Sequence, residues 1–424
     1  MNPPFRLMFP PAVWRQRIPD LVRQRCPGLS RLTRNDHVEA RELIARDCQP
    51  AAPVVRGCEY GPLEDLLLLQ VQPSVAPGDA SALLDSFSPL RTQGVAVLVL
   101  GRGAASGQWV GCVGDRGSIL PLDEFTLVGS RMRRVTVVPS GEEDLTGLDG
   151  DRWSRQRGAL GHAAMRRVRE SSVGLIGAGR NGSAAAQSLA MLGVRKLVLV
   201  DADRDELHNL DATVGATPDR LGRFKVVNRR ETLKAIRPTG LEVQAIARPV
   251  LHPEAVQALR GVDLLMTCVD RDPPRLATAM LASRWCKVHL DVGTGVFREG
   301  GIREMGGDIR LMLPGEACVL CMGGLRNLED ARYEVSAPPG VLRRGRRQAW
   351  NEARAGSLLT VDQVAVNLGI QFWLDLLSGE VRESRWCHLE WRGDVPVSEV
   401  RGPLALSCDL CGRHPHNQDL RVTV

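Results

Sequence analysis

The chain has 424 residues, 43% of them hydrophobic and 25% charged, with a formal net charge of +6. This is the composition of an ordinary globular protein with room for more than one core, and it excludes collagen-like, low-complexity and disordered classes. The charge is spread without a basic block and no apolar run approaches the length of a membrane span, so neither nucleic acid nor a membrane is an expected partner. The N-terminal MNPPFRLMFPPAVWRQR places prolines and charges where a secretory apolar core must lie, which predicts a cytoplasmic protein. Eleven cysteines, an odd count in a long chain of this kind, point to reduced thiols or metal ligation rather than a disulfide framework.

In chain order, residues 1–137 alternate apolar runs (Leu66–Val71, Val95–Leu100, Trp109–Val113) with Pro- and Gly-rich turns, the pattern of a small α+β domain. Residues 138–151, containing the acidic, glycine-bearing PSGEEDLTGLDGD, read as a linker. The second domain is expected over 152–424. From Val173 to Val292 apolar runs alternate with helical periods: strands over Leu241–Ala247, Val262–Cys268 and Val288–Val292, helices over 253–259 and 273–284. That alternation predicts an α/β fold, a Rossmann-like, mostly parallel sheet with helices on both faces, preceded by the small α+β domain.

Within it, VGLIGAGRNGSAAAQSLAMLGVRKLVLVDAD is a strand, a glycine-rich turn, a helix and a second strand ending in acids. Gly177, Gly179 and Gly182 lack the side chains that keep backbone amides away from a phosphate, and the helix N-terminus favours an anion. Asp201 can accept hydrogen bonds from ribose hydroxyls. The glycine pattern is shared by dehydrogenases, flavoproteins and ATP-using enzymes, so the following residues decide. Asp203, Asn209-Leu210, Lys225 in GRFKVV and Asp270 in CVDRDPPR come next, and RWSRQ (Arg152 to Gln156) precedes the first strand. A dehydrogenase needs one acid for ribose and no such series. ATP cleavage at the α-phosphate needs cations on the phosphates, a carboxylate near magnesium and polar grips on ribose. Only four of the 55 basic side chains are lysines, and Lys225 stands out as a position that uses a compact ammonium. Taken singly, Asp203 also reads as a cap, Asp270 as the end of a strand, and Arg152 and Arg155 as surface charges.

As a set, in this order, the residues resemble the ThiF/MoeB/HesA adenylyltransferases, the family that includes the ubiquitin-activating enzymes and MccB. The likeness covers roughly residues 150–424. It implies that Asp201 holds ribose, that Asn209 and Lys225 grip phosphates, and that Asp270 sits beside magnesium. It also implies a homodimer, with Arg155 reaching the neighbouring subunit's ATP site. The implied reaction joins the C-terminal carboxylate of a ubiquitin-like or sulfur-carrier protein to AMP and expels pyrophosphate. The product passes to a conjugating enzyme or a sulfur donor. The family's arginine shortly after Asn-Leu is absent from NLDATVG, and Arg220 and Arg223 are the nearby replacements. Alternative readings are an MccB-like adenylyltransferase acting on a peptide, a nucleotide-binding scaffold without turnover, and, behind both, an NAD-dependent oxidoreductase.

Two C-x-x-C hooks, Cys318/Cys321 and Cys408/Cys411, can complete a tetrahedral zinc site with four thiolate ligands, of the closed, structural kind. The same family carries such a pair. The alternative is two unrelated pairs of buried thiols. Ubiquitin-type activating enzymes place a nucleophilic cysteine between the first hook and the next helix, a helix expected here over Val361–Leu377. From Met322 to Trp386 this chain has no cysteine. Cys387 is the remaining candidate, and it reads better as a buried structural thiol. Residues 1–137 contain only His37, which excludes the metal-dependent isopeptidase of JAB type that accompanies some relatives and leaves a degenerate JAB-like or other recognition domain.

Overall fold

The computed structural model describes residues 6–9, 28–34, 38–44, 66–72, 85, 96–102, 109–115, 118–121, 124–127, 133–136, 152–285, 287–299, 302–314, 316–336, 358–392, 395–401, 408 and 410–411. The chain divides into two compact units, one on Met1–Thr146 and one on Gly147–Asn417. The expected linker, 138–151, lies outside the described residues.

In the first unit the described strands are β1 (Arg6–Phe9), β2 (Gly28–Arg34), β3 (Val38–Ile44), β4 (Leu66–Gln72), β5 (Ala96–Arg102), β6 (Trp109–Asp115), β7 (Ser118–Pro121), β8 (Glu124–Leu127) and β9 (Arg133–Thr136). They form a sheet of order β3-β2-β4-β5-β6-β7 and a smaller one, β1-β8-β9. Val97, Leu98, Val99 and Leu100 on β5 are wholly buried, so successive side chains are covered on both faces of that strand. The helical share of the expected α+β domain falls, apart from Asp85, outside the described residues.

The second unit is the α/β fold. Its elements are α1 (Ser154–Glu170), β10 (Ser172–Ile176), α2 (Arg180–Leu192), β11 (Lys196–Val200), α3 (Lys225–Ile236), β12 (Glu242–Ile246), α4 (Pro253–Arg260), β13 (Leu264–Thr267), α5 (Asp272–Arg284), β14 (Val288–Glu299), β15 (Ile302–Met312), α6 (Leu328–Ser336), α7 (Leu359–Ser378), β16 (Arg385–Arg392) and β17 (Val395–Arg401). The sheet order is β12-β11-β10-β13-β14-β15-β16-β17. The first five strands in that order are parallel and the rest antiparallel. Strand order reverses between β10 and β13, and in such sheets ligands bind in the crevice at the strand ends there.

Local sequence explains these elements. SVGLI and KLVLV are unbroken apolar runs because both faces of a parallel strand are covered by helices. Helix α2 stops at Gly193, whose φ of +100 places it in the left-handed region, and the Gly193 and Val194 amides close the final turn on Leu189. Helix α7 buries Val361, Ala365, Val366, Ile370, Trp373 and Leu377, a stripe at helical spacing. Gly369 lets it lie close on the sheet, since a Cβ there would come within 3.1–3.3 Å of Val292, Ile309 and Leu290 side chains. The strand expected to end at Val292 continues to Glu299, because β14 pairs antiparallel with β15 well beyond the parallel core.

Candidate nucleotide site and cysteine cluster

The glycine loop runs from the end of β10 to the start of α2. Gly177 has φ +92, and a Cβ on it would meet the Cys268 carbonyl oxygen at 2.5 Å. A Cβ on Gly182 would overlap the Gly177 carbonyl oxygen, so α2 begins hard against the loop. Gly179, at the N-cap of α2, faces open space. Two glycines therefore shape the loop, and the third leaves its backbone open to a ligand.

Asp201 is tied into this loop from the end of β11. Its Oδ2 accepts from the Ala178 amide at 2.7 Å and its Oδ1 from the Asp203 amide at 2.8 Å. Burial pushes its carboxyl above the ordinary range despite the opposing pull of Lys225. Asp203 is exposed and pairs with the Lys225 ammonium at 3.0 Å. The Lys225 amide also donates to the Asp203 carbonyl, at 2.9 Å. Asn209 ends a short 3-10 turn (Leu207–Asn209) and is buried, with its Oδ1 accepting from the Glu206 amide at 2.8 Å.

Behind this rim lies a structural ion pair. Asp205 and Arg229 are both buried and hydrogen-bonded to each other, and Asn228 donates to the same Asp205 oxygen at 2.6 Å. Together with the Gly222 and Asp205 backbone contacts, the pair holds the long segment after β11 onto α3. Two loop residues that glycine spacing does not single out also make contacts. Arg180 donates to Asp211 at 2.9 and 3.1 Å and to the His208 carbonyl at 3.3 Å. Asn181 donates to Thr294 Oγ1 at 3.1 Å, and Thr294 donates to the buried Asp362 of α7 at 2.6 Å. The sequence signal for both is their place inside the glycine pattern.

Asp270 follows β13 and is exposed, on the strand next to the glycine loop's own. Arg155 is exposed on the first turn of α1. Beside it Trp153 is buried, donating from Nε1 to the Met191 carbonyl at 3.1 Å, with the guanidinium carbons of Arg152, Arg169 and Arg237 within 5.0–5.2 Å of its ring centre. Trp153 thus fixes the start of α1 to the end of α2 while Arg155 points to solvent.

The four hook cysteines come together. All four sulfurs lie within 4.8 Å of one another and all four residues are buried. Cys318 Sγ is 3.6 Å from Cys408 Sγ and 3.9 Å from Cys321 Sγ. An ion held tetrahedrally at about 2.3 Å from each sulfur sets them roughly 3.8 Å apart, so the cluster can hold a metal ion of thiolate preference.

Escherichia coli MccB in complex with ATP superposes with a TM-score of 0.44 at 16% identity, over 63% of this chain and 73% of that one. A model of the ThiF family matches residues 153–342. Ubiquitin-like modifier-activating enzyme 5 of Culex quinquefasciatus is 30% identical over 188 residues, 41% of this chain and 45% of that protein. Protein HesA, heterocyst, of Trichormus variabilis is 30% identical over 146 residues, 34% of this chain and 54% of that protein. Residues 153–342 match the ThiF family, and these relatives support a ThiF/MoeB/HesA type for that domain. The chain spans about half the length of these relatives.

Within the ThiF-type domain, the position after Asn209-Leu210-Asp211 is Ala212, which is buried. Arg220 and Arg223, the expected replacements for a cation there, are engaged elsewhere. Both pair with Glu231, and Arg220 also donates to Thr232 at 2.9 Å and to the Gly215 carbonyl at 3.3 Å. Cys268 and Cys387 are buried; Cys286 lies outside the described residues. Burial, with Asp308 nearby, pushes the Cys387 thiol up. Neighbouring His388 turns to Asp308, with Nδ1 3.0 Å from its Oδ1. Among the described residues, no helix is long and apolar enough to cross a membrane.

Proposed function

We propose that the ThiF-type domain adenylates the C-terminal carboxylate of a ubiquitin-like or sulfur-carrier protein, using ATP. The observation that carries this reading is the hydrogen-bonded line Ala178–Asp201–Asp203–Lys225, which sets an open glycine, a ribose-ready carboxylate and an ammonium on one rim at the switch point of the sheet. The names carried by the relatives, ubiquitin-like modifier-activating enzyme and HesA, support the choice of substrate class.

The chain's residues divide the work. Gly179 and the first amides of α2 receive phosphate, Asp201 accepts from ribose while holding the loop, and Lys225 exchanges Asp203 for a phosphate oxygen. Asn209 spends its carbonyl on the Glu206 amide, which leaves its amide nitrogen as the group to offer a phosphate. A substrate carboxylate oxygen attacks the α-phosphorus, the bond to the β-phosphate bridging oxygen breaks, and pyrophosphate leaves with that electron pair. Asp270, an exposed carboxylate at the β13 end, suits magnesium, which when bound supplies charge neutralisation for the leaving group. The four-cysteine cluster suits a structural zinc ion, having four thiol donors and no open position. In this reading the enzyme is a cytoplasmic homodimer in which Arg155 crosses to its partner's nucleotide, and the N-terminal unit serves recognition. No thiol of the usual loop receives the product, so the acyl-adenylate goes to a conjugating enzyme or sulfur donor.

Exchange of labelled pyrophosphate into ATP, with magnesium and candidate carrier proteins or peptides, tests the reading. Wild type is expected to exchange only with its carboxylate substrate, and Asp270→Ala to lose exchange while melting normally. Exchange supported by a short peptide alone would transfer the assignment to peptide adenylation, and full exchange by Asp270→Ala would remove Asp270 from the site.

A further inference from the structure

A nucleoside triphosphate is a polyanion, and the described residues around the glycine loop carry basic side chains in two kinds of ion pair. In the first kind both partners are buried: Arg229 and Asp205 have side-chain exposures of 2% and 0%. Such a pair has no route to exchange its acid for a ligand. In the second kind the cation is mostly covered and its acid lies out in solvent. Lys225 and Asp203 are of this kind, at 13% and 72%. So are Arg180 and Asp211, at 24% and 66%. An acid that solvent reaches is weakly held, since water and salt screen the pair, and an arriving phosphate can replace it on a cation that is already in position. Arg220 and Arg223 share Glu231, on α3, and do not show the second arrangement: their side-chain exposures are 25% and 41% against 39% for the acid.

We propose that Arg180 is a phosphate-binding residue of this nucleotide site, with Asp211 occupying its guanidinium until the triphosphate arrives. The proposal rests on the adenylation reading above. Arg180 opens α2, directly after the open Gly179 and two residues beyond the Ala178 amide that Asp201 holds. Its guanidinium is anchored to the segment on either side of Asn209, by the His208 carbonyl and by Asp211, which fixes it beside the loop before any ligand binds. A planar guanidinium presents two parallel donors to two phosphate oxygens, a fixed geometry that the rotating ammonium of Lys225 lacks. Ala212 has no charge to offer, so Arg180 supplies from the glycine loop the second cation that the segment after Asn209 lacks.

Affinity for magnesium-ATP, ADP, AMP and adenosine, measured by titration calorimetry on the full chain, tests this without a protein substrate. Arg180→Ala is expected to weaken ATP at least tenfold and adenosine less than threefold, Arg180→Lys to recover part of the ATP affinity, and Asp211→Ala to bind ATP as well as or better than wild type. Should Arg180→Ala fail to fold, Arg180→Gln carries the same comparison. Equal losses for ATP and adenosine, or an Asp211→Ala variant as weak as Arg180→Ala, would show that the pair only builds the loop, and would overturn the proposal. Unchanged ATP affinity in Arg180→Ala would overturn it too, whereas a wild-type chain that binds no ATP refutes the adenylation reading itself.

Discussion

Gly182 and Gly177 stand in direct backbone contact: a Cβ on Gly182 would overlap the Gly177 carbonyl oxygen. The clash is with backbone, which has nowhere to retreat, because Gly177 is itself pressed against the Cys268 carbonyl at a φ of +92. Gly182→Ala is therefore expected to destabilise the ThiF-type domain by about 2 kcal/mol or more and to abolish nucleotide binding. Gly179→Ala meets no atom within 4 Å. It is expected to melt within a degree or two of wild type yet bind ATP at least tenfold more weakly, because its methyl group enters the space left for phosphate. Thermal melts beside ATP titrations check both, and a Gly179→Ala variant with normal ATP affinity removes the loop from the nucleotide site.

The two acids Asp203 and Asp205 sit two residues apart and do opposite work. Asp205→Ala leaves Arg229 buried without its counter-charge, in a site where burial already pulls the guanidinium's pKa down. Such losses amount to about 3–5 kcal/mol. Asp203→Ala removes an acid that lies out in solvent, so stability changes little and the effect falls on nucleotide binding. Urea denaturation of the two variants, followed in parallel, is expected to show a large shift in midpoint for Asp205→Ala and almost none for Asp203→Ala. Equal shifts would mean that Asp203 is structural.

The cysteine cluster predicts about one zinc per chain by elemental analysis. Cys408→Ser opens the thiolate shell, and because the folded state alone gathers four sulfurs contributed by hooks about 90 residues apart, metal affinity is folding free energy. Zinc content and melting temperature are expected to fall together, the latter by about 5 °C or more. Prolonged chelation of wild type is expected to reproduce the same melt. A Cys318→Ser, Cys408→Ser double variant that retains full zinc would show the metal to be elsewhere.

The parallel half of the sheet was legible because its strands are short unbroken apolar runs separated by helical periods, a pattern with one architectural solution. Leu264–Thr267 and Pro253–Arg260 fall within two residues of where the sequence puts them. The antiparallel half was less so: β14 runs on to Glu299 through Gly293 and Gly295, residues that carry no strand signal and are held there by pairing with β15. In the candidate site the backbone-shaping glycines and the strand-end acids could be read directly, since each has a chemistry its residue type announces. The partners of arginines could not. Nothing in NLDATVG or GAGRNG says that Arg180 meets Asp211, because the contact spans 31 residues and depends on how Asp205 and Arg229 pin the intervening segment.

On the adenylation proposal, Cys387 is the candidate for covalent attachment of the acyl group to this chain. The residue lies on β16 opposite Ile309 of β15, with only 5% of its surface exposed. Its thiol is held protonated by burial and by the nearby Asp308 carboxylate, and His388, the adjacent base, is committed to that same Asp308. A nucleophilic thiol needs the reverse, an accessible sulfur and a depressed pKa. Labelling with iodoacetamide is expected to modify Cys387 far more slowly in the folded chain than in denaturant. Enzyme mixed with ATP and its substrate is expected to release pyrophosphate while non-reducing gels show no thiol-sensitive adduct, and Cys387→Ala is expected to exchange pyrophosphate at the wild-type rate. A thioester band in wild type that disappears in Cys387→Ala would mean that β16 opens during turnover, and that acyl transfer within this chain follows the adenylate.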